Sequence, residues 1–275
     1  MTYAVDSLTV RFGPTVALDD VSLSMPGGAV VAVVGGDGAG KSTLLRAVVG
    51  EIPLKHGTIT APNPEQIGYL PATTGSWLDL SVQQNMEFVG GVYGLTGADL
   101  ATRCDGLLAR AELTEARNRL SRQLSGGMRR KLGFCLAMIH DPPLLVLDEP
   151  STGVDPVSRV DLWRLISEAA AGGAAVLMST TYLDEAERAA YLLVLDAGRA
   201  IVSDTPENAI TSLTGTVTST AVPTRREWAW RRGRMFHEYW PPDDPATPPG
   251  PITPDLEDVV IAMSLQHRAS LAARP

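Results

Sequence analysis

The sequence predicts an α/β fold with a mostly parallel sheet covered by helices, and three observations lead there. Ala, Val, Leu and Gly dominate, 44% of the residues are apolar and only 5% aromatic, which suits small-residue packing between helices and a sheet better than a β-sandwich. The run "AVVAVV" (29–34) is continuously apolar and β-branched, as a strand buried on both faces must be. Short apolar runs recur at "LLVLD" (144–148), "AAVLMS" (174–179) and "YLLVLD" (191–196) with helical stretches between them.

Taken in chain order, residues 4–25 alternate and break at "GP" and "DD", which predicts two or three paired antiparallel strands. Residues 81–140 lack strand runs. "SVQQNMEFVGGVYGL" and "ADLATRCDGLLARAEL" have helical periodicity, so a helical subdomain inserted into the α/β core is expected. After about residue 213 the character changes. "REWAWRRGRMFHEYWP" is aromatic and basic, "PPDDPATPPGPITP" (241–254) reads as a proline-rich linker, and "DLEDVVIAMSLQHRASLAA" closes the chain as a helix. The expected division is a main domain over 1–213 and a small α+β appendage over 214–275.

Bulk properties narrow the function. No apolar run approaches the roughly 20 residues that span a bilayer, so a membrane role would be peripheral, and "MTYAVDSLTVRFG" has no export-signal pattern. Cys104 and Cys135 are far apart and are read as helix-packing residues in a reducing compartment. A formal charge of −8 disfavours adhesion to nucleic acid. Arg225, Arg226, Arg231, Arg232 and Arg234 are interleaved with Trp228, Trp230, Phe236 and Trp240, which reads as strands charged on one face and apolar on the other. His140 and His237 are read as packing or surface residues, since neither has a metal-ligand companion.

Chemistry concentrates in two places. Residues 35–43, "GGDGAGKST", fit GxxxxGK[ST], follow the buried strand and open the helical "TLLRAVVG". Glycines let backbone N–H groups turn inward onto phosphate oxygens while the helix N-terminus adds its positive dipole end. Lys41 would then bridge the terminal phosphates and the Ser42 hydroxyl would ligate Mg²⁺. The second place is "LLVLDEP", an apolar strand ending in Asp148 and Glu149, which offers one carboxylate to Mg²⁺ and the next to an attacking water.

With "LSGGM" (124–128) some twenty residues before "LLVLDEP" and "STGVD" (151–155) just after it, the chain resembles the ATP-binding subunit of an ABC transporter. "MRRKLGFCLAMIHDPPLLVLDEPSTGVDP" and "PDLEDVVI" are similar to the drug-exporter, daunorubicin-type branch. The resemblance implies a P-loop NTPase (RecA-like) core with an antiparallel β subdomain. It implies ATP and Mg²⁺ at Gly35, Gly36, Asp37, Gly38, Ala39, Gly40, Lys41, Ser42 and Thr43, with Phe12 in the position of an adenine-stacking aromatic. Asp148 and Ser42 would support the metal, and Glu149 matches the catalytic base. Phe12 has a competing reading as a strand residue packed in the core. Ser125, Gly126 and Gly127 would face ATP held by a second ATP-binding subunit, docked head to tail. The other implied partner is a membrane permease in trans, at the inner face of the cell membrane, contacted near "ATTGSWLDLSVQQN" (72–85).

Two positions depart from the family. Where it keeps a glutamine or glutamate after "IGYLP", this chain has Ala72, and where it keeps a histidine before "YLDEAE", it has Thr181. Losing one preorganised donor costs on the order of 10²–10³ in rate, about 3–4 kcal/mol, whereas the groups that bind ATP are intact. The expectation is a degenerate site that binds nucleotide, turns over poorly and completes the site of a better-equipped partner. A heterodimer is favoured over a homodimer. A nucleotide-gated regulatory subunit and a fully active homodimer are the alternatives, and a soluble relative acting on ribosomes or DNA lacks its usual second cassette or coiled-coil insertion here.

Overall fold

The structure, a computed structural model, describes residues 1–73, 75–244 and 250–272. In chain order the elements are β1 (Thr2–Phe12), β2 (Thr15–Pro26), β3 (Val30–Val34), α1 (Lys41–Val48), β4 (His56–Thr60), β5 (Ile67–Leu70), α2 (Val82–Val92), α3 (Gly97–Arg110), α4 (Gly126–Met138) and β6 (Leu144–Leu147). Then follow α5 (Pro156–Ala171), β7 (Ala175–Thr180), α6 (Leu183–Ala186), β8 (Tyr191–Asp196), β9 (Arg199–Asp204), α7 (Pro206–Thr211), β10 (Thr216–Thr220), β11 (Ala229–Arg232), β12 (Met235–Trp240), β13 (Pro251–Ile252) and α8 (Leu256–Ala272).

The continuous apolar runs form the central six-stranded sheet, in the order β5-β6-β7-β3-β8-β9. Its first five strands are parallel and β9 closes the edge antiparallel to β8. Because side chains alternate faces along a strand, each run serves two cores. Val31 and Val33 face one core with Leu144, Val146, Ala175 and Leu177. Ala32 and Val34 face the other with Leu145, Leu147, Val176 and Met178. A strand that supplies both must be apolar at every position, which is why the run reads as it does.

The first core is closed by α1 and by a three-stranded antiparallel sheet, β2-β1-β4, whose inward residues include Val5, Leu8, Leu18, Val21 and Met25. The second is closed by α2 to α5 together with α8. Each fully buried Leu or Val stabilises by roughly 1.5–3 kcal/mol, so both faces are needed for a chain of this size. Ser81 and Gln84 form a reciprocal capping box at the start of α2, and Asp155 caps α5 ahead of Pro156. In α4 every residue from Arg130 to Met138 is buried, so this helix runs through the interior. Its Lys131 binds Asp161 of α5 at 2.6 Å.

The C-terminal segment differs from the sequence expectation in two respects. Within the stretch expected to be a linker, Pro251 and Ile252 form β13 and pair antiparallel with β10, in a four-stranded sheet ordered β11-β12-β10-β13. Residues 245–249 of that stretch lie outside the described residues. The segment also does not stand apart: α8 returns to the main body, where Leu256 and Val260 enter the second core. Near its other end His267 and Arg268 bind Asp196 at 3.0 and 3.2 Å. The buried Asp258 of α8 accepts from Trp230 Nε1 at 3.2 Å and pairs with His237 Nδ1 at 2.7 Å. His237 is thus part of an in-chain pair. Of the arginine cluster, Arg225 pairs with Glu238 and Asp244, and Arg232 with Asp255 and Glu257. His140 stacks face to face on Tyr93, ring centroids 3.7 Å apart.

Cys104 in α3 and Cys135 in α4 are free thiols, both fully buried. Burial raises both thiol pKa values, Cys135 to about 12. Neither should react with a maleimide at neutral pH in the folded chain, while both should be labelled in denaturant. Native-state labelling, read by mass spectrometry, would contradict the packing of α3 on α4.

Candidate nucleotide site

The site stands at the carboxyl ends of β3, β6 and β7, where the chain leaves the sheet and loops have room to converge on a ligand. The loop after β3 is shaped by two glycines. Gly40 has φ +107° and is the residue from which α1 starts; a Cβ there would meet Ala17 O and Leu18 Cδ2, both at 2.7 Å. A Cβ on Gly35 would meet Leu195 O at 2.4 Å. The loop is therefore wedged between β2 and the β8–β9 hairpin, and Gly198 N–H donates to Ala39 O at 3.1 Å. Gly36 and Gly38, by contrast, have open space on the side a Cβ would take.

A cleft of about 230 Å³ lies over this loop, lined by Ala17, Asp37, Gly38, Ala39, Gly40, Lys41, Ser42, Thr43 and Glu149. Lys41 Nζ donates to Gly35 O at 2.8 Å and Gly36 O at 3.2 Å and stands 3.6 Å from Glu149 Oε1. Ser42 Oγ donates to Asp148 Oδ1 at 3.1 Å, across 106 residues of chain. Residues of the glycine loop and of "LLVLDEP" are thus in direct contact. Glu149 takes φ +47°, a strained conformation for a residue with a side chain, and its Oε2 accepts from Thr152 Oγ1 at 3.0 Å. The strain turns the backbone sharply just after the strand and sends the Glu149 carboxylate into the cleft while Asp148 stays buried beneath it.

The motifs alone did not reveal Ser179. At the end of β7 its hydroxyl donates to Asp148 Oδ1 at 2.6 Å and accepts from Glu149 N–H at 2.8 Å, so one side chain orients both acids. The only signal in the sequence is a small polar residue at the end of an apolar strand. Ala17 was likewise not singled out, because it comes from the hairpin. Tyr69 of β5, half-buried near Asp148, has its phenol pushed up to about 12 by burial first and by that carboxylate second, so it remains a neutral neighbour.

This donor set fits MgATP. Glycine-loop amides and a buried lysine suit phosphate oxygens, and Ser42 Oγ beside Asp148 Oδ1 is a hard oxygen pair of the kind Mg²⁺ takes. Bound there, Mg²⁺ would neutralise charge on the terminal phosphates. Phe12 is 51% exposed, so it is not a core residue; it ends β1 next to the hairpin turn, outside the lining of the cleft.

The "LSGGM" segment forms a different edge. Ser125 caps α4, accepting from Met128 N–H at 3.2 Å. The two glycines divide by role. A Cβ on Gly127 would strike Ser158 Oγ at 2.5 Å, so the packing of α4 on α5 already requires glycine there. On Gly126 it would meet only Gly153 O at 3.4 Å, an ordinary contact, and nothing among the described residues accounts for glycine at that position. Ala72 and Thr181 are both exposed, after β5 and after β7. Thr181 is two residues beyond Ser179.

The fold and this site define a P-loop nucleoside-triphosphate-binding protein. The family model described as ABC transporter matches residues 18–152. The chain is 37% identical over 216 residues to a Nod factor export ATP-binding protein I of Cupriavidus pinatubonensis, covering 74% of this chain and 66% of that one. It is 37% identical over 218 residues to the daunorubicin resistance ATP-binding protein DrrA2 of Streptomyces coeruleorubidus, covering 74% and 68%. Among solved structures, an ATP-binding subunit of an ABC transporter superposes with a TM-score of 0.70 at 27% identity over 77% of this chain and 92% of that one. A dimeric bacterial ABC transporter cassette shares the fold at a TM-score of 0.67 and 21% identity, covering 74% and 98%. The chain belongs to the family of ABC transporter ATP-binding subunits.

Replacing Ser179 by Ala would leave the buried Glu149 N–H unpaired and remove a donor from Asp148, a loss of about 1–3 kcal/mol. The expected outcome is a nucleotide affinity that no longer rises on adding Mg²⁺, with metal-free binding little changed. Titration of a fluorescent ATP analogue with and without Mg²⁺ would show it; an unaltered Mg²⁺ increment would rule the arrangement out.

Proposed function

We propose that this chain is the ATP-binding subunit of an ABC-type exporter, peripheral on the inner face of the membrane. It would bind MgATP at its own glycine loop and lend Ser125, Gly126 and Gly127 to the hydrolytic site of a second ATP-binding subunit. The observation that carries this reading is Gly126: an exposed first-turn glycine with room for a Cβ, at the positive end of a helix dipole, suits a nucleotide held by another molecule. The names of the similar proteins, concerned with Nod factor export and daunorubicin resistance, support the export reading.

At its own site Lys41, now held by Gly35 O, Gly36 O and Glu149, would exchange these for phosphate oxygens, and Glu149 would be freed to polarise a water. Phe12, exposed and beside the hairpin, is available for stacking on adenine. Asp148 and Ser42 would hold Mg²⁺. Neither Ala72 nor Thr181 supplies the charged or amide donor that would meet the terminal phosphate. Binding would therefore persist while turnover at this site falls by about 10²–10³ relative to a fully equipped one. Among the described residues no helix is long and apolar enough to cross a membrane, and the reading has the permease acting in trans.

With the purified partner subunit and permease in vesicles, Gly126→Asp should abolish most ATP hydrolysis, although a Cβ at this position makes only an ordinary contact with Gly153 O. Lys41→Ala should weaken nucleotide binding here and leave a substantial part of the hydrolysis. The opposite pattern, with Lys41→Ala abolishing activity and Gly126→Asp sparing it, would overturn the asymmetric arrangement. Vigorous hydrolysis by this chain alone would favour an active homodimer.

A further inference from the structure

Arg130 of α4 is buried, with 9% of its surface exposed, and among the described residues no carboxylate forms an ion pair with it. Burial lowers its pKa, and the fields of Glu149 and Asp148 act in the opposite sense. Its guanidinium is satisfied instead by three successive main-chain carbonyls of the loop after β5: Nη2 donates to Ala72 O at 2.6 Å, and Nη1 to Thr73 O at 2.8 Å and Pro71 O at 3.2 Å. A buried cation spent wholly on backbone of another element is costly unless that element is held in one place, because the planar fork needs all of these acceptors in register.

The loop so held is not remote from the nucleotide cleft. Leu70 O, one residue before it, accepts from Asp148 N–H at 2.8 Å, and Asp148 accepts from Ser42. On the other side Arg130 lies in the second turn of the helix that starts at Gly126. Hydrogen bonds alternating with short stretches of backbone therefore connect Ser42 through Asp148, Leu70 and residues 71–73 to Arg130, one turn beyond the start of α4. At position 72 the side chain is a methyl group, and the contact of this residue with Arg130 is made by its backbone carbonyl.

We propose that Arg130 is a positioning residue that ties the 71–73 backbone to α4, so that nucleotide occupancy at Ser42 and Asp148 is felt at Gly126 and Gly127. The inference rests on the nucleotide-binding reading above. It adds an intramolecular route between this chain's own cleft and the helix edge offered to a partner. The route is of the contiguous hydrogen-bonded kind that carries coupling between sites.

Amide hydrogen exchange on the full chain tests it, comparing wild type, Arg130→Met and Arg130→Lys with and without Mg²⁺ and a non-hydrolysable ATP analogue. Without nucleotide, Arg130→Met should speed exchange across residues 71–80 by about tenfold through local opening, with the thermal midpoint nearly unchanged. With the analogue, peptides from the glycine loop should be protected in all three proteins. The accompanying change at residues 125–135 should appear in wild type, vanish in Arg130→Met and be partly kept in Arg130→Lys, whose ammonium lacks the planar fork that meets all three carbonyls. Wild-type exchange at 71–80 in Arg130→Met, or an unaltered response at 125–135, would overturn the proposal. If Arg130→Met does not fold, Arg130→Lys decides by the same two criteria. If the analogue fails to protect even the wild-type glycine loop, the nucleotide-binding reading fails, and the nucleotide-free comparison at 71–80 still judges the clamp.

Discussion

The structure turns on one buried carboxylate. Asp148 is 2% exposed and its Oδ1 takes a hydrogen bond from Ser42, at the start of α1, and another from Ser179, at the end of β7. A carboxyl group this far from water is tolerable only when its oxygens are met by donors, so the ends of β3, β6 and β7 must arrive together. That requirement fixes the glycine loop against the acids. It also places Glu149 where only a strained backbone can put it, with φ +47° and its N–H taken by Ser179. Sheet order follows the same need: β7 lies between β6 and β3, so a serine at its end reaches the acid pair that follows β6.

From that junction the molecule divides into two edges with different chemistry. One is the cleft over the glycine loop, where amides, Lys41, Ser42 and Asp148 suit a phosphate and a divalent cation. The other is the start of α4, where Gly127 is demanded by Ser158 and Gly126 by nothing among the described residues. Ser125 and Gly126 at this helix start are exposed, while the rest of the helix is largely buried, and the first N–H groups of a helix have no acceptor within the helix. The proposed asymmetric arrangement draws on both edges: donors suited to a phosphate and a divalent cation at one, and an exposed first-turn glycine at the other.

Much of this was legible from residues alone, and the reasons are local. The runs at 29–34, 144–148, 174–179 and 191–196 became β3, β6, β7 and β8 because a strand buried on both faces leaves an unbroken apolar signature. The glycine loop was legible because its function needs particular residue types at fixed spacing between a strand and a helix. β9 and β13 were not: β9 is an edge strand with a half-exposed pattern, and β13 is a two-residue pairing inside a proline-rich stretch whose composition suggests a linker. Ser179, Ala17 and Arg130 were missed for a related reason. Each acts through an element distant in sequence, and a serine, an alanine or an arginine carries no pattern that announces a partner.

What the sequence determined by itself is what spacing and periodicity can encode: the α/β class, the helical block between 81 and 140, the phosphate-binding loop, the acid pair, and the two substituted positions. The tertiary structure alone decided which side chains hold these parts in register, that Phe12 is exposed rather than packed, that one signature glycine is structural and the other is not, and that the last helix returns to the core. The division has a physical basis. Backbone conformation and burial pattern are local properties written in neighbouring residues, whereas a hydrogen bond such as that between Ser42 and Asp148 closes a loop of more than a hundred residues and exists only once the sheet has aligned its strand ends.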